Sequence, residues 1–318
     1  MDKIFFLQPV FQERIWGGRN LENFGFSIPA GNIGEAWVIA AHNNGSSTIT
    51  NGSLKNLSLK EAYEKEPLLF TKKAYAKFPL LVKILDAREN LSVQVHPNDT
   101  YANINENGEL GKTECWYVLD SEENSSIIYG HSAKTKDEFN KKIDDKSWDS
   151  LFIQEKVKKD DFFYIPAGTL HAIGGGILIY EVQQNSDTTY RVYDYDRIDK
   201  NGQKRELHTE KTKDVTTVPF AKYQTEKLIS HSGDATITEL LDELYFNVYK
   251  IDVKGEAKLN KNTTGNLFTV IDGRGYIKFE NEEYELKKGD SFILTTNCTS
   301  YNLTGNLSLI ASYPNEVL

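Results

Sequence analysis

The chain has 318 residues and a formal net charge of −9, from 37 Lys and Arg against 46 Asp and Glu. This length allows a sizeable core, and at about 150 residues per domain two domains are expected. The acidic balance, without a stripe of Lys or Arg, argues against binding to nucleic acid or to an anionic membrane. The two cysteines, Cys115 and Cys298, exclude both a disulfide framework and a four-sulfur zinc site.

The N-terminal segment does not resemble a secretory signal. It lacks a cationic region followed by an apolar run and a small-residue cleavage site. No apolar run reaches the ~18 residues of a membrane helix. We therefore expect a cytoplasmic protein that does not span a membrane.

Two short helices are predicted from capping patterns. Ser58 and Glu61 have the spacing of a capping box before the segment LKEAYEKEPLLF. Thr135 and Glu138 repeat this spacing further along the chain. Both helices are expected to be small insertions between strands.

Short β-strands are predicted from about residue 78 onward. Apolar runs separated by Gly, Asn and Asp are typical of an antiparallel sandwich or barrel. The runs are LLVKILDA, LSVQVH, CWYVLD, SSIIYG, DFFYIP, ILIYEVQQ and TTYRVYDY. A polar stretch from about 201 to 232 contains few strand signals, and alternation resumes at YFNVYKIDV. We predict a mainly β chain with domains 1–234 and 235–318.

The second predicted domain looks like a copy of part of the first. VKKDDFFYIPAGTLH aligns with LKKGDSFILTTNCTS, and CWYVLD aligns with FTVID, which indicates an internal duplication. In this alignment His171 corresponds to Ser300, and Glu114 corresponds to Asn266. The C-terminal copy is therefore expected to lack metal ligands.

Three segments supply candidate metal ligands: LSVQVHPND, GKTECWY and PAGTLHAIGGG. Gln94 and His96 lie two residues apart, so on a strand both side chains point to one face. Together with Glu114 and His171 they offer two imidazoles, one carboxylate and one amide. This set suits a catalytic zinc ion with one open position, and we predict one zinc ion per chain.

The same ligand set also describes the facial triad of non-haem iron oxygenases. In that triad the first histidine and the carboxylate usually lie close together in one segment, whereas His96 and Glu114 lie in different segments. The spacing favours zinc weakly. A non-haem iron oxygenase and a non-catalytic sugar-binding protein remain alternatives.

The other histidines lie in polar, turn-like segments. For His42, His131 and His231 we expect solvated surface positions rather than metal ligation. His208 is kept open as a candidate because the segment KRELH closes the first predicted domain.

Six segments together resemble the type I mannose-6-phosphate isomerases, in particular their short form from low-GC Gram-positive bacteria. The segments are RIWGG, GEAWVIAAH, FPLLVKILDARENLSVQVHPND, KTECWYVLD, IPAGTLHAIGGG and YEVQQNSDTTYRVYDYDR. The resemblance covers nearly the whole chain. It implies two cupin-type jelly-roll units, zinc on His96, Glu114 and His171, and Gln94 as a further ligand or a nearby pocket residue.

The resemblance also implies roles for residues around the metal. Arg191 matches the catalytic arginine, Lys112 matches a proposed proton-transfer lysine, and Asp187 matches another active-site position. Many longer relatives have proline between that lysine and the ligand glutamate, and they carry an extra helical domain. This chain has Thr113 there and no such domain, which changes the surroundings of Lys112.

The chemistry of an aldose–ketose isomerase can be set out from its requirements. A proton must move between C1 and C2, and the cis-enediol(ate) formed on the way must be stabilised. Arg191 is an always-cationic donor for that charge. Lys112 would need a lowered pKa to act as the base, and Glu181 or a zinc-bound hydroxide is a competing base.

Binding of a sugar phosphate needs further contacts. Lys83, Ser92 and Arg191 are the candidates for the phosphate, because the chain has no Gly-rich loop followed by Lys and Ser or Thr. The structural alternative for Arg191 is a salt bridge with Asp194 or Asp196. The alternative for Lys112 is a solvated loop position. The sequence gives no indication of an oligomeric state.

Overall fold

The computed structural model describes residues 2–198, 202–224, 226–261 and 265–315, and in these ranges the chain is mainly β-strand, as predicted. The strands are β1 Ile4–Gln8, β2 Val10–Gly18, β3 Ile33–Ile39, β4 Ala41–His42, β5 Gly45–Ser46, β6 Thr48–Ile49, β7 Leu80–Ala87, β8 Val93–Val95, β9 Glu114–Ser121, β10 Ser126–His131, β11 Phe152–Lys156, β12 Phe162–Ile165, β13 His171–Ile173, β14 Ile177–Gln184, β15 Tyr190–Tyr193, β16 Leu228–Ser232, β17 Ala235–Asp242, β18 Phe246–Asn260, β19 Leu267–Lys278, β20 Glu283–Lys287, β21 Ser291–Leu294 and β22 Ser300–Pro314. The helices are α1 Leu59–Lys65, α2 Pro67–Phe70, α3 Asp99–Asn105, α4 Lys136–Asp144, α5 Trp148–Leu151 and α6 Thr209–Val215. No helix in the described ranges is both long and apolar enough to cross a membrane.

Two sheets form an antiparallel sandwich in the first two thirds of the chain. In the described residues one sheet has the order β12-β9-β14-β7-β2-β3, and the other has the order β11-β10-β13-β8-β15. Large apolar side chains of both sheets fill the space between them, among them Trp116, Tyr129, Phe163 and Ile173. The fold is a sandwich rather than a closed barrel.

The sheet that contains β7 and β14 is covered on both faces. All eight residues of each of these strands are buried, which explains their nearly continuous apolar sequences. One face lines the sandwich, and the other packs in a large core shared with α1 and the C-terminal sheet. Polar groups on β7 and β14 therefore need partners inside the protein.

The C-terminal sheet has the order β16-β17-β18-β22-β19-β21-β1-β6, with β20 on β19, in the described part of the chain. It includes β1 and β16, which precede residue 235 in the chain. The N-terminal strand β1 pairs with β21, so the first residues of the chain complete this sheet. The division into 1–234 and 235–318 stays a prediction.

The strand register agrees with the alignment of the two copies. In the first copy Trp116 on β9 pairs with Phe163 on β12. In the second copy the aligned residues, Phe268 on β19 and Phe292 on β21, pair with each other. A common register over aligned residues is what an internal duplication predicts.

The predicted helix caps are present. The hydroxyl of Ser58 accepts a hydrogen bond from the Glu61 N–H, and the Glu61 side chain accepts from the Ser58 N–H, so α1 has the complete capping box. Thr135 caps α4 through the Glu138 N–H. The helices α3, α5 and α6 and the strands before residue 78 were not predicted, and neither was β16 in the polar stretch.

Candidate active site and metal centre

Three buried side chains converge between the two sheets of the sandwich. His96, Glu114 and His171 each offer one ligand atom, and these atoms all lie within 4.8 Å of one another. Glu114 Oε2 lies 3.4 Å from His96 Nε2, and Glu114 Oε1 lies 3.3 Å from His171 Nε2. All three side chains are almost completely buried. The sequence prediction named this set of three.

The strand pairing explains why these residues meet. His171 on β13 lies directly opposite Gln94 on β8, and Gln94 lies opposite Arg191 on β15. Their side chains share one face of the sheet, because paired residues of neighbouring strands point the same way. Glu114 comes from the facing sheet, at the start of β9, and closes the cluster from the other side.

The hydrogen bonds of the two histidines fix a tautomer in which Nε2 is free to bind a metal. His96 Nδ1 lies 2.9 Å from the carbonyl oxygen of Thr188, and His171 Nδ1 lies 2.8 Å from that of Thr169. A carbonyl only accepts, so each Nδ1 carries the proton and each Nε2 presents a lone pair to the cluster. Gln94 Nε2 donates to His171 Nε2 over 3.3 Å, which agrees with this tautomer.

The electrostatics also fit a cation. Burial and the neighbouring charge of Lys112 lower the pKa of His96 to about 3, so this imidazole is neutral at pH 7. Burial raises the pKa of Glu114, but the charge of Lys112 lowers it more, and the carboxylate is ionised. Neither Glu114 oxygen accepts a well-directed hydrogen bond from any described residue. Two neutral imidazoles and one ionised carboxylate are a suitable ligand set for a divalent metal ion.

Family models match both ends of the chain. The model for the catalytic domain of type I phosphomannose isomerase matches residues 4–119. The model for the cupin domain of mannose-6-phosphate isomerase matches residues 236–314.

Known proteins match the chain over its full length. A mannose-6-phosphate isomerase of Bacillus subtilis is 48% identical over 97% of this chain and 98% of its own. The chain belongs to the type I phosphomannose isomerase family. The mannose-6-phosphate isomerase of Streptococcus mutans is 46% identical over 99% of this chain and 100% of its own. A crystal structure of the Bacillus subtilis isomerase, 45% identical, superposes with a TM-score of 0.95 and covers 98% of this chain and 99% of its own.

Lys112 lies inside the cluster and not in a solvated loop. Its Nζ is 3.0 Å from Glu114 Oε2 and 3.1 Å from His96 Nε2. Burial lowers the pKa of Lys112, but the carboxylates of Glu114 and Glu181 raise it more, so the amine is held in its charged form. The lowered pKa that a base role of Lys112 needs is therefore absent from the protein alone and would require an added positive charge nearby.

Thr113, the residue between Lys112 and Glu114, fixes the backbone next to Lys112. Its N–H donates to Gln184 Oε1 over 2.9 Å, and its hydroxyl accepts from the Ala167 N–H over 3.2 Å. Proline could make neither bond. The threonine therefore ties the Lys112–Glu114 segment to β14 and to the loop before β13.

Arg191 is half-buried and makes no ion pair with a described residue. Its Nη1 donates to the carbonyl oxygen of Glu206 over 2.9 Å, and its Nε–H has no acceptor within the described ranges. Asp194 pairs instead with Arg197 and Arg205. Burial, helped by the charge of Arg205, lowers the pKa of Arg191 from its ordinary value. The salt-bridge alternative for Arg191 is not observed.

Lys83 and Glu181 lie opposite each other on β7 and β14, inside the sandwich. Lys83 Nζ is 3.6 Å from Glu181 Oε1 and 5.0 Å from the centre of the Trp37 ring. Trp116 Nε1–H donates to Glu181 Oε2 over 2.9 Å. Burial and the charge of Glu114 raise the pKa of Glu181 to about 7.

The remaining predicted site residues lie at different depths. Ser92 is buried two residues before Gln94. Asp187 is half-buried and accepts a hydrogen bond of 2.8 Å from Asn44. Burial raises the pKa of Asp187, but Lys83 and the bond from Asn44 lower it more, so this carboxylate is charged.

Sequence reasoning assigned no role to Trp37, Glu35 or Asn44. Trp37 on β3 lies opposite Lys83, and its Nε1–H donates to Glu35 over 2.6 Å. Glu35 is in turn held by Arg14. The segments GEAWVIAAH and RIWGG contain Glu35, Trp37 and Arg14. Only the strand pairing shows that these side chains continue the row of polar side chains formed by Lys83 and Glu181.

The other histidines differ from one another. The expectation for His131 was wrong: its side chain is buried, and its Nε2 lies 2.9 Å from the Thr217 carbonyl oxygen, because β10 runs beneath the loop that follows α6. His42 is half-buried against Trp37. His231 is exposed, as predicted. His208 Nδ1 accepts the Arg191 N–H over 3.1 Å, so it lies beside the site without joining the metal cluster.

Proposed function

We propose that this chain interconverts mannose 6-phosphate and fructose 6-phosphate. The supporting observation is a buried cluster of two histidines and one glutamate, whose Nε2 lone pairs face the cluster, in a chain that matches 98% of the length of a known isomerase of this family. The alternatives of an iron oxygenase and of a non-catalytic sugar-binding protein have no support from the relatives.

We infer that one zinc ion binds His96, Glu114 and His171, with Gln94 as a weaker fourth ligand. Zinc prefers imidazole and carboxylate in a site of this kind and, when bound, acts as a Lewis acid toward substrate oxygens. The carbonyl oxygens of Thr188 and Thr169 hold the histidines in the orientation that this requires.

The chain's own groups would handle the proton and the negative charge. The Arg191 guanidinium, whose Nε–H has no acceptor among the described residues, is the proposed donor to the enediolate oxygens. Lys112 is the proposed proton carrier between C1 and C2, and Glu181 is the competing base, with a pKa of about 7. Lys83, Ser92 and Asp187 are proposed substrate contacts.

We further propose residues 1–234 as the catalytic unit and 235–318 as a cupin-like unit without metal ligands. The correspondence of Asn266 to Glu114 supports this division of roles. The substrate would be a small sugar phosphate of the cytoplasm, and the net charge of −9 disfavours nucleic acid and anionic membranes as partners.

The test is an assay of the zinc-loaded protein with mannose 6-phosphate as substrate. We expect fructose 6-phosphate to form, and the activity to disappear on chelation and return with zinc. Iron-loaded protein in the presence of dioxygen serves as the comparison. Absence of fructose 6-phosphate with fully metal-loaded protein would contradict the proposal.

A further inference from the structure

A cavity lined by both apolar and polar side chains lies at the C-terminal copy of the fold. Its volume is about 200 Å³, and it is formed where the segment after α2 meets the ends of β19 and β22. Asn266, which lines it, takes the place of Glu114 in the duplication. One wall of the cavity is therefore formed by the residue of the second copy that corresponds to Glu114 of the first.

The charge of this cavity is unusual for an acidic protein. Lys72 and Lys261 line it, and none of its described lining residues is Asp or Glu. Lys261 Nζ donates to the Thr295 carbonyl oxygen over 2.7 Å, which uses one of the three donors of an ammonium group. Burial, together with the charge of Lys72, lowers the pKa of Lys261 to about 8, although Cys298 acts in the opposite direction. A bound anion would relieve this unfavourable charge.

A second observation indicates a hydroxyl on the ligand. Asn266 is buried, and its Nδ2 donates to the Phe70 carbonyl oxygen over 2.9 Å, which orients the amide. Its Oδ1 has no donor among the described residues. A buried acceptor without a donor is costly, and a ligand hydroxyl is one source of the missing hydrogen bond.

We propose that this cavity binds a small phosphoryl anion, either free or carried on a small polyol, at a site separate from the isomerase centre. Lys261 and Lys72 would contact the phosphoryl oxygens, and Asn266 would accept from a hydroxyl. The proposal goes beyond the isomerase reaction and gives the second copy a role of its own. A cavity with two cations and no carboxylate does not suit a metal ion.

Calorimetric titration of the metal-loaded full-length protein tests this site, with inorganic phosphate and glycerol 3-phosphate as probes. Lys261→Gln should raise Kd at least about tenfold, the scale of one lost charge-assisted hydrogen bond. Lys72→Gln should raise Kd about threefold, because this lysine is exposed. Lys258→Gln, an exposed lysine of the same sheet, is the matched control and should change nothing. Isomerase kcat and KM should stay at wild-type values in all three variants.

Crystals soaked in each probe locate the binding. Density between Lys72 and Lys261 supports the proposal. Tighter binding of glycerol 3-phosphate than of phosphate would identify a carried phosphoryl group, and the reverse order would identify the free anion. The proposal is overturned if both lysine variants titrate as wild type does, or if neither probe binds in the cavity. Should Lys261→Gln fail to fold, the exposed Lys72→Gln carries the same test.

Discussion

At the scale of single residues, the candidate metal centre is oriented by two backbone carbonyl groups. Thr188 and Thr169 each accept the Nδ1 proton of one histidine and so expose the Nε2 lone pair of that ring. Such outer partners orient a ligand before any metal arrives. The buried Glu114 supplies the only carboxylate of the three-residue cluster found in the described chain. We therefore expect the loss of any one of the three side chains to leave an incomplete ligand set.

Replacement of His171 by alanine should remove metal and activity together. One of three protein ligands is lost, and an incomplete site cannot hold zinc tightly. Elemental analysis and turnover of the purified variant measure the two effects. Ser300→Ala, at the corresponding position of the second copy, is the matched control and should keep both at wild-type values. Stoichiometric zinc in the His171 variant would show that the ligand assignment is wrong.

Replacement of Arg191 by lysine should leave folding and metal content intact but lower kcat at least about a hundredfold, the scale of one lost transition-state donor. Lysine keeps the charge but not the planar fork that can contact two oxygens at once. Steady-state kinetics with saturating mannose 6-phosphate measure the loss. Arg19→Lys, in an exposed salt bridge with Glu22, is the control. Retention of more than half of kcat would indicate that Arg191 is structural.

At the scale of elements, short helices are held by their caps and by packing of one face. The helix α1 has seven residues, fewer than an isolated helix needs in water. Leu59, Ala62 and Tyr63 bury its inner face, and the capping box satisfies its first N–H groups. The helix packs against the core that joins the two parts of the chain. Its unfolding would therefore also destabilise residues outside the helix.

Ser58→Ala should lower the free energy of unfolding by about 1 kcal/mol. The hydroxyl that accepts the Glu61 N–H is lost, while the half-buried position at the helix end leaves no enclosed cavity behind. Ser58→Thr keeps the hydroxyl, which also donates to Glu61 Oε2 over 2.7 Å, and should stay close to wild type. Denaturant titration compares the two variants with the wild-type protein. Equal stability of the alanine variant and the wild type would show that the cap contributes nothing.

At the scale of the whole molecule, the two parts of the chain share one core. Residues from β7, β9 and β14 pack in a single cluster with Phe246, Ile293 and Ile310 of the C-terminal sheet. The Tyr180 hydroxyl also donates to Thr269 across this contact, over 3.2 Å. Because β1 completes the C-terminal sheet, both ends of the chain contribute to one structure.

Ile310→Ala should therefore destabilise the whole protein and not the C-terminal part alone. The cavity left by a fully buried isoleucine costs about 2–5 kcal/mol. Thermal unfolding followed by circular dichroism and by loss of bound metal should give one common transition at lower Tm. Ile104→Ala, at a 75% exposed position, should change the stability by less than about 0.5 kcal/mol. Separate transitions for the two signals would show that the parts unfold independently.

Much of the candidate site was accessible from the sequence because its residues lie in short, distinctive segments. The alternation on β8 predicts the face to which Gln94 points. Glu114 and His171 are side chains of the types that bind metals. The alignment of the two copies indicated that the N-terminal copy keeps these metal-ligand candidates and that the C-terminal copy lacks them. His131 was misjudged for the opposite reason: its polar neighbours suggested solvent, while its burial comes from a loop more than 80 residues later in the chain.

The sequence by itself determined the mainly β character, the helix caps, the register of the two copies and the three clustered metal-ligand candidates, because each is written in local patterns or in a repeat. Tertiary structure alone decided the row that joins Trp37, Lys83, Glu181 and Trp116, and the passage of β1 into the C-terminal sheet. It also decided the pKa directions of Lys112 and Glu181. These properties depend on which strands pair and on how far each charge lies from water and from other charges. Neither the strand pairing nor these distances are set by the residues nearest in the chain.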